Sequence, residues 1–150
     1  VPLSAVSRVR LLRRSVMNTA VRGREVPKKG LRWLGLWGPV YAMMALIFWG
    51  SSSPTLPTAA SVLDDGVWHA GAYAVLSGLW LRALAGARWE LVTAAVALLA
   101  AVLATFYGAT DEIHQRFVPG RTPELSDICA DAAGAVFACG LIWWVARLRR

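Results

Sequence analysis

Charged residues are absent between Arg32 and Asp64, and again between Glu90 and Asp111. Uncharged runs of that length predict helices that cross a bilayer, because a hydrocarbon core takes about 20 apolar residues per helix. Four apolar segments follow from the pattern. The first runs from about Trp33 to Trp49, with tryptophans at both ends and Pro39 in its opening turns. The cluster Ser51–Ser53, Pro54 and Pro57 is expected to end it. The second runs from about Val67 to Leu84 and contains His69 and Tyr73. The third runs from about Leu91 to Thr110 and is rich in Ala, Val and Leu. The fourth runs from about Ile128 to Ala146. No repeat and no surface strand is evident. The predicted fold class is all-α, a polytopic membrane protein built as a bundle of about four transmembrane helices.

Composition agrees with this pattern. The 150-residue chain is 57% hydrophobic, against about 45–50% for an ordinary soluble chain. A soluble fold of this length has too little interior for such runs. The net charge is +7, and nine of the sixteen basic residues precede Trp33: Arg8, Arg10, Arg13, Arg14, Arg22, Arg24, Lys28, Lys29 and Arg32. They flank an apolar run and accompany no nucleic-acid motif, so they read as anchors beside anionic membrane lipids, and no nucleic-acid partner is expected. Residues 1–32 do not resemble a cleavable signal peptide. They are expected to form a mobile arm or a weak basic helix on the inner leaflet, leaving 33–150 as the transmembrane domain. Lys and Arg counts on alternate sides give fourteen against two, which predicts that both termini are cytoplasmic. Cys129 and Cys139 lie ten residues apart on one predicted helix. That is about 15 Å of rise, too far for a disulfide between them.

This topology brings nearly every polar group of chemical interest to the outer face. Asp65, His69 and Tyr73 recur every fourth residue and so share one helix stripe. An aspartate there can orient an imidazole for acid–base or ligand work. The plainer reading is a capping Asp65, an interfacial His69 and a belt Tyr73. The run Thr110 to Arg121 is denser: Asp111 and Glu112 end an apolar helix, followed by His114, Gln115, Arg116, the Pro119-Gly120 turn and Arg121. Spacing pairs Asp111 with Gln115 and Glu112 with Arg116, and the turn folds Arg121 back toward the helix ends. Ionisable groups at membrane depth are costly and are read as functional and paired. The alternative is a solvated loop. Asp127 suits the start of the fourth helix. Asp131 lies one turn deeper and needs a donor, with Arg121, Arg116 or His69 as candidates. Gly134, Ala138 and Gly140 offer small surfaces for helix packing.

These residues resemble the VanZ-like family of bacterial membrane proteins. The matching positions are Asp65, His69 and Tyr73; Asp111, Glu112 and Gln115; Phe117 through Arg121; and Asp127 with Gly134. The resemblance covers roughly Asp65 to Gly140, and Asp111–Arg121 is its specific part. Two positions depart from the pattern: Gly66 stands where a lysine is usual, and Asp131 where an asparagine is usual. The resemblance implies a cell-envelope protein, and the family's named member confers low-level resistance to teicoplanin.

The expected site is therefore an outward polar pocket for an anionic or lipid-linked cell-envelope ligand. Asp65, His69, Asp111 and Glu112 are the candidate catalytic groups. Tyr73, His114, Gln115, Arg116, Arg121, Asp127 and Asp131 are the candidate ligand-binding residues, the arginines meeting the anion. Carboxylates and imidazole would suit a metal, but no fixed ligand motif is present, and no metal, cofactor or protein partner is assigned. The other class of reading is a non-enzymatic scaffold, in which the charged cluster locks the helices together.

Overall fold

The computed structural model describes residues 28–53 and 65–150. Among them are four helices and no strand: α1 (Lys28–Ser51), α2 (Asp65–Leu84), α3 (Ala94–Gln115) and α4 (Leu125–Leu148). The expected order holds. Residues 1–27 of the basic arm, and Pro54 and Pro57 of the terminating cluster, lie outside the described residues. The last five residues of the arm are helical, since α1 begins at Lys28.

Helix boundaries follow local chemistry. The end of α1 is fastened by its own serines. Ser52 Oγ donates to the Phe48 carbonyl at 2.6 Å and Ser53 Oγ to Trp49 at 3.3 Å, which satisfies carbonyls with no helical partner. α2 stops at a tight turn in which Gly86 and Ala87 both have positive φ, 60° and 58°. Helix α3 starts at Ala94 rather than near Leu91, because Thr93 caps it by accepting from the Val96 amide at 3.2 Å. Trp89–Leu91 instead form a short 3-10 turn. α3 also runs on to Gln115, so Asp111, Glu112 and His114 are helical residues and not loop residues.

The bundle carries large apolar side chains on its outside and encloses a core of mostly small apolar residues that holds several charged groups, which a soluble protein would keep at its surface. Phe106, Phe137, Trp49 and Leu98 are exposed, each by more than 60%. The buried positions are mostly small, among them Ala97, Ala100, Ala101, Ala104 and Ala135. They are interrupted by buried Asp111, Glu112, Gln115, Asp127 and Asp131. α1, α3 and α4 are long and apolar enough to cross a membrane. α2 is less apolar, with Asp65 and Arg82 at its ends and Tyr73, Leu76, Ser77 and Leu81 buried. It is the helix packed most closely on α4.

Small residues make that packing possible. A Cβ on Gly134 would overlap the backbone carbonyl of Ala70, so α2 and α4 touch backbone to backbone. Gly140 meets nothing and plays no such part. Ser77 Oγ reaches the Ala135 carbonyl at 3.3 Å, and Cys139 Sγ the Ser77 carbonyl at 3.6 Å. Cys129 is exposed and Cys139 buried, and both are free thiols. α1 joins the rest through the fully buried Val40 and its apolar neighbours, and through directed contacts. Tyr107 donates to the Met44 carbonyl at 2.7 Å, Arg82 to the Gly35 carbonyl at 2.9 Å, and Trp37 meets Trp80 edge-to-face at 5.6 Å.

Candidate functional site

The last turn of α1, the start of α2, the end of α3 and the start of α4 meet at one end of the bundle. The loop after α3 covers that end, and its shape comes from a type II turn. The Arg121 amide donates to the Val118 carbonyl at 3.2 Å across Pro119-Gly120, and Gly120 takes the positive φ of 84° that the third position requires. The turn places Arg121 half-buried, with its Nε donating to the Ser53 carbonyl at 3.2 Å. No carboxylate is in ion-pair contact with it among the described residues.

A cavity of about 500 Å³ opens there, lined by Asp65, Gly66, Gln115, Gly120, Arg121, Thr122, Glu124, Ser126 and Asp127. One turn in from the α2 end of this cavity is His69. Its Nδ1 lies 3.0 Å from Asp131 Oδ1, and its Nε2 lies 3.8 Å from Asp127 Oδ2. A carboxylate accepts, so the Asp131 bond puts the hydrogen on Nδ1 and turns Nε2 toward Asp127. Asp131 is 1% exposed. It fits against α3 because position 108 is glycine: a Cβ there would collide with its Oδ2. Tyr73 stacks below, its ring nearly parallel to that of His69 at 6.4 Å. The Tyr73 hydroxyl is fully enclosed and has no hydrogen-bond partner among the described residues.

Asp111 and Glu112 are engaged in contacts within the bundle. Ser51 Oγ donates to Asp111 Oδ1 at 2.7 Å, and Gln115 Nε2 to Oδ2 at 3.4 Å. Glu112 accepts from the backbone amide of Glu124. Asp111 thus ties α3 to α1, and Glu112 ties α3 to the loop entering α4. Neither lines the cavity. Their expected acid–base role therefore has no cavity-facing geometry, since burial and internal donors occupy both groups.

Two other expected ligand groups stand apart. His114 faces α1, with its ring 4.4 Å from Phe48 and its Nε2 3.0 Å from Ser52 Oγ. Ser52 gives its own hydrogen to the Phe48 carbonyl, so the His114 N–H is the donor. Arg116 is exposed and makes no ion pair with Glu112, because the carboxylate turns inward while position 116 turns out. Ser51, Ser53 and Gly108 were absent from the sequence-derived site. The serines read as a helix stop, and Gly108 sat inside an apolar run.

The arrangement is a polytopic membrane protein with a polar pocket at one end, walled by a cation on the loop and by carboxylates on α2 and α4, with an imidazole one turn behind. The chain belongs to the VanZ/LLP1 family, whose sequence model matches residues 36–147. That span extends beyond the resemblance read from motifs, taking in most of α1 and the end of α4. No curated protein and no solved structure matches the chain.

Proposed function

We propose that this VanZ-family protein recognises an anionic group of an extracytoplasmic, lipid-linked cell-envelope ligand at the Arg121 pocket. The observation that carries the reading is the state of Arg121. Its Nε is spent on the Ser53 carbonyl, which fixes the side chain, yet the guanidinium has no carboxylate partner among the described residues. A guanidinium cannot be neutralised, and its remaining donors form a planar fork suited to phosphate or carboxylate. The positive-inside bias supports an outward pocket, because arginine is disfavoured on that side unless it has work there. Asp65, Gln115 and Asp127 complete the wall and position the ligand. His69 is the group best placed for proton transfer, with its tautomer set by Asp131. The cellular effect in this reading is altered susceptibility to glycopeptides such as teicoplanin.

The test uses Arg121→Ala and Arg121→Lys in cells whose teicoplanin susceptibility depends on the protein. Arg121→Ala is expected at near-normal abundance in the membrane with the phenotype lost. Arg121→Lys should retain part of it, because charge persists without the fork. A well-expressed Arg121→Ala variant with full phenotype would overturn the reading.

A second reading has its own support. Ser51–Asp111, Glu112–Glu124 and His69–Asp131 each join two elements, which is what a structural lock needs. Under that reading the protein acts as a scaffold, and Arg121→Ala would leave the phenotype intact.

A further inference from the structure

At the α2–α4 side of the cavity, one nitrogen of His69 and one carboxylate oxygen each from Asp65 and Asp127 lie within 4.8 Å of one another. We infer that these three side chains form a binding site for a divalent cation of the zinc or manganese class. Four observations support it. Donor atoms on a four-coordinate ion with bonds of about 2.0–2.1 Å are roughly 3.4 Å apart, so shifts of about an ångström in two aspartate side chains close the set. His69 is already arranged as a ligand: Asp131 holds Nδ1 at 3.0 Å and leaves Nε2 as the outward donor, the second-shell carboxylate arrangement common to metal-binding histidines.

The third observation is Asp127 itself. It is largely buried at the cavity wall, its carboxylate accepts no hydrogen bond among the described residues, and its one ion-pair contact there is His69 Nε2 at 3.8 Å. Its oxygens therefore have acceptor positions open toward the cavity, where a cation can meet them. The fourth is the charge count. Asp65, Asp127 and Asp131 gather around a single imidazole, and no Lys or Arg is in ion-pair contact with them among the described residues. One divalent ion offsets Asp65 and Asp127 together.

The donor set selects the ion. Imidazole with carboxylates suits zinc or manganese, whereas magnesium and calcium prefer all-oxygen shells. Three protein donors leave a coordination position that faces the cavity, with Arg121 also on its wall. The anionic group would then lie between two cations; that last point rests on the reading of Arg121 proposed above, while the cation site does not.

The test measures metal uptake alone. Full-length, tag-free protein in detergent is stripped with chelator, then titrated with zinc or manganese salts, and bound metal is counted by elemental analysis. One equivalent per chain is expected, with a rise in melting temperature. Asp65→Asn should fold, since Asp65 is exposed at the helix start, and should bind at least 100-fold more weakly. Asp131→Asn should weaken uptake by about 10–100-fold: the amide oxygen can still accept from Nδ1, but the negative charge that raises the basicity of the imidazole is gone. Glu90→Gln, at the other end of the bundle, should bind as the wild type does. Failure of the wild type to take up either ion stoichiometrically would overturn the site, as would uptake unchanged in both Asp65→Asn and Asp131→Asn. Uptake that persists while Arg121→Ala keeps its cellular phenotype would leave the cation site standing and remove the anion reading.

Discussion

Arginines sit at both ends of this bundle under opposite conditions. At the end where α2 stops and α4 finishes, Arg82 is exposed and donates to the Gly35 carbonyl. Arg150 donates to the carbonyls of Glu90 and Val92, both at 3.0 Å. Arg147 and Arg149 lie over the rings of Trp143 and Trp89 at 5.5 and 4.6 Å. Arg88 and Glu90 approach to 3.7 Å while both side chains remain mostly exposed. This end has the make-up expected of an interfacial anchor: exposed charge beside aromatic rings and capped helix ends. At the other end Asp111, Glu112, Asp127 and Asp131 are buried, and Arg121 is half-sheltered, tethered to a carbonyl at the wall of a cavity. The difference teaches that charge alone does not mark a site in a membrane protein. Burial of the charge, with a specific partner or a specific lack of one, does.

The comparison breaks first if the two ends do not face opposite compartments. In a chain with Cys129 and Cys139 replaced by serine, a single cysteine at Thr122 should react with an impermeant thiol reagent in intact cells. One at Ala87 should react only after the membrane is opened. This is an all-or-none readout, and reversed labelling would move the pocket to the cytosol.

The next effect concerns the packing that holds the polar end shut. Gly134→Ala puts a methyl group into the Ala70 backbone, which cannot rotate away. Overpacking costs about 1–3 kcal/mol in cores, and this position should reach the upper end. Melting in detergent should drop sharply, and a neutral result would mean that α2 and α4 are further apart than described.

The smallest effects sharpen the contrast between the ends. Ser51→Ala leaves the buried Asp111 carboxylate without its 2.7 Å donor. A hydrogen bond to a charged group is worth about 1.5–3 kcal/mol. Glu90→Gln removes an exposed contact and should stay within about 0.5 kcal/mol of the wild type. Equal melting temperatures for the two variants would show that the polar end is wetter than its burial implies.

The helices were legible in the sequence because lipid demands long uncharged runs, and those runs stand out against flanking charge. The polar end was legible for the same reason: Asp111, Glu112 and Asp131 are conspicuous where charge is costly. What lay beyond sequence was the division of labour among them. Spacing allowed Glu112 to meet Arg116, but the loop amide of Glu124, twelve residues on, took the carboxylate instead. Arg121 was a candidate donor for Asp131, and it bonded a backbone carbonyl that no side-chain pattern announces. His114 turned to α1 because Phe48 and Ser52 offered a ring face and an acceptor across the bundle. Gly108 gave no signal of its own, since its importance comes from Asp131 on another helix.

The fastening of α1 has a consequence for how the protein is assembled in time. Its contacts to the bundle run to residues made later: Gly35 waits for Arg82, Met44 for Tyr107, and Ser51 for Asp111. While it waits, α1 keeps its backbone bonds internally and its apolar side chains in lipid, so nothing forces it to aggregate. Asp111 has the harder passage. It enters the membrane region as a carboxylate at the end of an apolar helix, and the hydroxyl that receives it was placed there two helices earlier. The first helix is thus a pre-positioned dock, and its last turn is where the order of synthesis becomes part of the design of the site.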